Sequence, residues 1–373
     1  MERKAGPPRI NWQQTVESQG MLYHTIDDEP YWDETACYCF DSAEIDLLET
    51  VTNELHERCI EAAQQVIDKD LFSRLEVPPH AVPLIVDSWD KDEPSLYGRF
   101  DLAYDGRNPP KLLEYNADTP TSLLEAGVIQ WYWMKDRYPD ADQFNSIHEK
   151  LIACWREMGI SSPLYFACVA NAPEDFGNLQ YLRDTAIQAG LETAHLFMHE
   201  IGFDEVSGRY VNLDDAPMDC LFKLYPWEWL ANEYFGRKLA TARMRVIEPA
   251  WKMLFSNKGL LAVLWELFEG HENLLPAGFE QGMFRDNYVI KPLLSREGEN
   301  VTVHANGQVH AVEGSYGGKG MVCQKLAPIP CIAGNYPVIG SWVIGGEAAG
   351  IGIREDRRLV TTNASRFIPH YFT

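Results

Sequence analysis

The chain has 373 residues, of which 46% are hydrophobic; this is ordinary for a globular protein of two or three packed layers and excludes a disordered chain. Its formal net charge is −23, with 55 acidic against 32 basic residues, which argues against nucleic acid as a partner and would suit a cationic substrate such as a polyamine. The N-terminus lacks an apolar signal core and no apolar run is long enough to span a bilayer, so a cytoplasmic protein with no membrane contact is expected. Eight scattered cysteines without a CxxC pair read as reduced thiols, not as a zinc site or a disulfide framework. Oligomeric state is left open.

Residues 41–68 open with Asp41 and Glu44 in capping-box spacing and carry Ile45, Leu48, Val51, Leu55 and Cys59 at helical intervals, which predicts an amphipathic helix. The stretch from Leu96 to Ser122 predicts a hairpin, two short strands around a turn of Asp105, Gly106, Asn108, Pro109 and Pro110. The polar Thr119–Thr121 segment predicts the start of a further helix running to about Tyr138, with Leu123, Leu124, Val128, Ile129 and Trp133 inward. Between 143 and 250, helix and strand alternate, which predicts an α/β layer with a partly parallel sheet. A helix is expected near Ser256 and strands at 287–293 and 301–304. A glycine-rich turn, GSYGGKG, is expected next, followed by β-structure to the end.

The hairpin carries the sharpest chemical signal. If Tyr104 pairs with Lys111, side-chain alternation puts Asp101 opposite Glu114 and Arg99 opposite Asn116, all on one face. Facing carboxylates destabilise a ladder unless a cation intervenes, and a set of carboxylate and amide oxygens suits Mg²⁺, with Arg99 placed for a phosphate. From spacing alone, a surface hairpin whose charges point into water fits equally well. Lys258 and Lys291 stand on separate elements, the second just before the turn SREGEN, and could hold nucleotide phosphates under a lid. A solvated charge is the plainer reading of each. There is no GxxxxGK[ST] motif and no strand-led GxGxxG, and the pair His195 and His199 lacks the companion glutamate of a zinc protease.

The stretches YGRFDLAYDG, LLEYNADTPTS, FKLYPWEWL, EPAWKMLFSNKGLLAVLWE, VIKPLLSREGENV and IGSWVIGGEAAGIGIRED resemble the synthetase domain of the glutathionylspermidine synthase family, and within it the stand-alone bacterial acid–amine ligases. The resemblance implies an α/β (α+β) fold of the ATP-grasp type, with a smaller α/β domain and a lid hairpin. In this division residues 1–95 pack as a helical segment on a synthetase core of 96–373, with 143–250 on the substrate side and 256–330 forming the ATP-binding lid region. The implied reaction uses ATP and Mg²⁺ to phosphorylate a carboxylate, after which an amine displaces phosphate to form an amide. Arg99 would stabilise phosphoryl transfer and also contact ATP, and Asp101, Glu114 and Asn116 would hold the metal. ATP would be bound by Asp101, Lys258, Lys291, the lid residues Ser295, Arg296 and Gly298, the adenine-side residues Gln324, Lys325 and Leu326, and Leu359, Val360 and Thr361. Thr119, Thr121, Glu174, Asp175, Arg354 and Arg366 would face the substrates.

Two departures bear on the substrates. A threonine of the family falls on Leu224, which cannot hydrogen-bond a peptide. An aspartate that binds the polyamine falls on Arg366, whose charge would repel spermidine. The expected acid is glutathione-like or a smaller peptide, and the expected amine is not spermidine; an amine bearing its own carboxylate would suit Arg366. The alternatives are an ATPase or phosphotransferase that forms no amide, and a nucleotide-binding regulator without chemistry.

Overall fold

The computed structural model of the protein describes residues 1–160, 163–242, 244–280, 282–316 and 320–373. The expected GSYGGKG turn therefore lies partly outside the described residues. Its centre is an antiparallel sheet of five strands in the order Arg366–Ile368, Glu347–Asp356, Tyr336–Ile344, Tyr97–Ala103 and Lys111–Asn116. The helix Ser42–Asp68 lies against it and buries Ile45, Leu48, Val51, Leu55 and Cys59. Its start is set by the expected capping box: Glu44 N–H donates to Asp41 Oδ1 at 2.8 Å, and Asp41 N–H donates to Glu44 Oε2 at 3.1 Å.

A second antiparallel sheet of Ala277–Gly278, Met321–Lys325, Tyr288–Pro292, Thr302–Ala305 and Gln308–Ala311 stands over the hairpin end of the first. A third sheet, Arg245–Ile247, Cys220–Leu224, Leu164–Cys168 and Thr193–Phe197, is parallel throughout and packs with the helices Ile147–Glu157 and Pro173–Gln188. The α/β layer read from the sequence is therefore present, with its first helix starting at Ile147 instead of Gln143. The chain ends meet: Glu2–Ala5 and His370–Phe372 flank Ala36–Phe40 in one small sheet. Among the described residues no helix is long and apolar enough to cross a membrane.

The expected register of the hairpin holds at one end and shifts at the other. Asp101 faces Glu114 and Arg99 faces Asn116, but Lys111 pairs with Ala103 and not with Tyr104. A bulge between Asp101 and Leu102 absorbs the difference by leaving Leu113 unpaired. The helix after the Thr119–Ser122 loop begins at Leu123 as expected and widens into a π turn, Glu125–Ile129, before Gln130–Arg137. One helix start differs: the helix expected near Ser256 begins at Leu260. Lys258 thus sits in the turn before that helix.

Candidate active site

The hairpin face is buried at Arg99 and Asp101 and half-buried at Glu114 and Asn116, with each charge paired, which removes the surface-charge reading. Arg99 and Asp101 are 5% and 3% exposed. Arg99 Nε donates to Asp101 Oδ1 at 2.8 Å, and its guanidinium also bonds the Thr121 carbonyl. Asp101 Oδ2 accepts from Arg354 at 3.0 Å, so two guanidinium groups share one carboxylate. The Arg99 side chain passes over Gly340, where a Cβ would stand 2.8 Å from Arg99 Cδ; only glycine leaves room for it on the neighbouring strand.

Across the ladder, Glu114 Oε2 lies 3.2 Å from Lys258 Nζ, and Glu114 Oε1 accepts from Asn116 at 3.0 Å. Burial would raise the Glu114 carboxyl, but Lys258 and Lys291 outweigh it and hold it at about 2. The bulge now explains how the second lysine is held. Lys291 Nζ donates to the carbonyl of the bulged Leu113 at 2.8 Å and to Gln324 Oε1 at 2.9 Å, while Gln324 Nε2 donates to the Leu112 carbonyl at 2.9 Å. Burial pushes the Lys291 ammonium down to about 8, against the pull of Glu114. Lys258 Nζ also donates to the Ser295 carbonyl at 2.6 Å, which ties it to the root of the lid.

Asp101, Glu114, Lys291 and Gln324 close the polar end of a slot between the two antiparallel sheets. Its walls are Val289, Val301, Val303, Leu326, Val338, Leu359 and Val360, with Lys325 and Thr361 at the margin. This is a thin apolar slot ending in fixed charges, the shape that takes a flat heteroaromatic ring with phosphates attached. The lid turn folds onto it. Gly298 has φ 73° and approaches the Thr361 carbonyl so closely that a Cβ would stand 2.6 Å from it. Arg296 donates to Glu228 Oε1 at 3.0 and 3.1 Å and to the Thr119 hydroxyl, which clasps the lid to the Asn116–Ser122 loop.

Asn116, Thr119, Ser256, Ser295 and Arg296 line a small polar recess beside the lysines, and Ser256 Oγ and Ser295 Oγ are buried there without a hydrogen-bond partner. Two unpaired hydroxyls beside carboxylate and amide oxygens suit phosphate and metal-bound water, so the residues fit Mg²⁺ with a nucleotide. Among the described residues no set of three His, Cys, Asp or Glu side chains could hold an ion by themselves.

The sequence profile described as glutathionylspermidine synthase preATP-grasp matches residues 3–373. The chain belongs to that family. A Haemophilus influenzae protein whose provisional name is acid–amine ligase is 44% identical over 392 aligned positions, covering 100% of both chains. The trypanothione synthetase of Crithidia fasciculata is 30% identical over 84% of this chain, which spans 53% of that protein's length. Among solved structures, a glutathione synthetase-like effector from Globodera pallida superposes with a TM-score of 0.56 over 99% of this chain and 98% of its own, at 11% identity. That similarity shows the fold alone: this glutathionylspermidine synthase family member is a mixed α/β chain of the glutathione synthetase-like, ATP-grasp type.

The remaining candidates of this family member divide into two groups. Glu174 and Asp175, at the start of the helix Pro173–Gln188, face the lid acid Glu297 and the guanidiniums of Arg354 and Arg296. Burial, then Glu125, pushes Glu174 up to about 8, and burial pushes Asp175 up to about 6. Leu224 is buried at the end of its strand. Arg366 corrects the expectation of an unbalanced cation. Its guanidinium donates to Asp33 at 2.6 Å, to Glu355 at 2.7 Å and to Asn335 at 2.8 Å, so its charge is matched within the junction of the chain ends.

The sequence reading missed several groups that brace the loop. Asp118 accepts from Lys223 Nζ and from Trp227 N–H, both at 2.7 Å, and both side chains of this ion pair are fully buried. Glu125 is completely buried, bonded by the Tyr31 hydroxyl at 2.7 Å. Its signal was present: Glu125, Val128 and Ile129 share one helical face, so an acid stands inside a stripe read as core.

Proposed function

We propose that the chain is an ATP-dependent acid–amine ligase that activates a carboxylate as its acyl phosphate and then joins it to an amine. The observation that carries this reading is the polar end of the slot. Four cations, Arg99, Lys258, Lys291 and Arg354, surround the two carboxylates Asp101 and Glu114, which leaves a surplus of two positive charges for a polyphosphate. The apolar walls then take the adenine ring, and Lys258 and Lys291 take phosphate oxygens. Asp101, Glu114 and Asn116 would hold Mg²⁺, which when bound offsets charge on the transferring phosphoryl group.

Arg99 is placed to stabilise the same phosphoryl oxygens and the later tetrahedral state, because its guanidinium is held by Asp101 and the Thr121 carbonyl. The acid lies along Thr119 and Thr121, and the lid clasp of Arg296 keeps water from the acyl phosphate. Glu174 and Asp175 receive the amine. A glutathione-like peptide suits the acid side. With Arg366 neutralised, the reason for excluding a polyamine falls away, and the amine is read as a cationic one, polyamines included.

The test is an ADP-release screen of acids crossed with amines, with mass spectrometry of the products. Release that requires both partners and yields an amide is expected. Turnover without an amine would replace this reading by a phosphotransferase, and no turnover with any pair would replace it by a nucleotide-binding regulator.

A further inference from the structure

An amine is protonated in water near neutral pH, so a ligase of this kind needs a group that takes a proton from the ammonium before nitrogen can attack. We propose that Glu125, acting with Glu174, receives that proton. This rests on the ligase reading above.

The geometry comes from a clamp. Asn178, buried on the helix Pro173–Gln188, accepts from Leu123 N–H at 3.0 Å and Leu124 N–H at 3.1 Å through Oδ1, and donates to the Glu174 carbonyl at 2.9 Å through Nδ2. One side chain therefore pins the turn that carries Glu125 to the turn that carries Glu174. Glu125 opens the π turn, a local widening of the helix often found at functional sites. Its carboxylate is held by Tyr31 Oη at 2.7 Å and, more loosely, by Tyr23 Oη at 3.4 Å, and Tyr31 Oη also contacts Ser122 Oγ at 2.9 Å. Tyr23 gains its position because Gly177 has no side chain; a Cβ there would stand 2.9 Å from the ring. These tyrosines are themselves raised by burial and keep their protons, which they donate to Glu125, so toward Ser122 the Tyr31 oxygen accepts.

Facing this pair are Arg99 from the hairpin, Tyr23 and Tyr31 from the N-terminal segment, Asp175 on the same helix as Glu174, Glu297 from the lid and Arg354 from the central sheet. Burial raises Glu125, and burial together with Glu125 raises Glu174 to about 8, so each carboxyl holds a proton more tightly than a free one does. Glu174, half-buried, meets the ammonium and takes one proton from it, and the fully buried Glu125 accepts that proton in turn. The nitrogen lone pair then forms the C–N bond, the C–O bond to phosphate breaks with its electrons on the leaving phosphate, and the second N–H proton departs with that phosphate.

The experiment uses the full-length enzyme with the acid and alkylamine that release most ADP in the screen. Hydroxylamine serves as a second nucleophile, because it is uncharged at neutral pH and needs no proton acceptor. Glu125→Gln is expected to lower amide formation with the alkylamine by about 100-fold while hydroxamate formation stays within about threefold of wild type. Equal loss of both products would show a merely structural residue, and retention of both would remove Glu125 from proton transfer; either overturns the proposal. Wild-type enzyme that forms no hydroxamate would instead sink the ligase reading. Tyr31→Phe provides an independent check. Removing its hydrogen bond removes a stabiliser of the carboxylate, so the acid limb of the amide pH–rate profile should move to higher pH, and an unmoved limb counts against the proposal.

Discussion

Arg99 and Lys291 show how the same residue types that look like solvated charges in a sequence become fixed devices once buried. Arg99 sits where no water can replace its partners, so its loss would leave Asp101 facing Arg354 alone and remove charge stabilisation during phosphoryl transfer. Arg99→Ala should lower turnover by about 100-fold or more with little change in ATP affinity. Steady-state kinetics beside equilibrium ATP binding checks this, and near-normal turnover would exclude Arg99 from the mechanism. Asp101→Asn and Glu114→Gln keep shape but remove charge, and both should shift the Mg²⁺ dependence of ATP binding to higher concentration. Unchanged Mg²⁺ titrations in both variants would discard the hairpin as the metal site. The pairing of Asp101 with Glu114 was legible because strand alternation is a local rule. That Lys258 and Lys291 would reach Glu114 was not, since the contacts cross 144 and 177 positions (258 − 114 and 291 − 114).

At the level of elements, bulge, π turn and lid each place a group that periodicity could not. The bulge frees the Leu113 carbonyl for Lys291, and no sequence signal marked it, because the turn residues fit a regular hairpin as well. The π turn follows the first residues of its helix and carries Glu125, while the loop before that helix leaves the Thr121 carbonyl free to accept from Arg99. In the lid, Gly298 combines a positive φ with contact to the Thr361 carbonyl. Gly298→Ala should therefore hold the lid off Leu359–Thr361 and raise the KM for ATP several-fold with less effect on the fold. A thermal melt matching wild type together with unchanged KM would refute that role. The long helix, by contrast, was readable from Asp41 and Glu44 alone, because a capping box is satisfied within one turn.

Across the whole molecule, the acidic cluster of Glu125, Glu174 and Asp175 is built at a cost in stability. The Glu174 carboxyl is raised in the folded state to about 8, so the native protein binds its proton more tightly than the unfolded chain, and stability falls as pH rises between the unfolded value and about 8. Glu174→Gln lacks this titration and should melt above wild type at pH 8, with the gap closing toward pH 5. A gap independent of pH would show that Glu174 ionises freely. Sequence alone was sufficient for the soluble-type composition, the helix caps, the alternation that faces Asp101 with Glu114, and, through long motifs, the family. Those features are local, or are spelled out in consecutive residues. Tertiary structure decided which charges are matched and which are in surplus. Arg366 looked like a repelling cation until Asp33 from a distant segment and Glu355 from the neighbouring strand were brought to it, and Glu125, which the sequence reading passed over, lies on a turn that Asn178 pins to the turn of Glu174. The physical reason is that charge balance depends on distance in space and on exclusion of water, and a linear pattern carries neither.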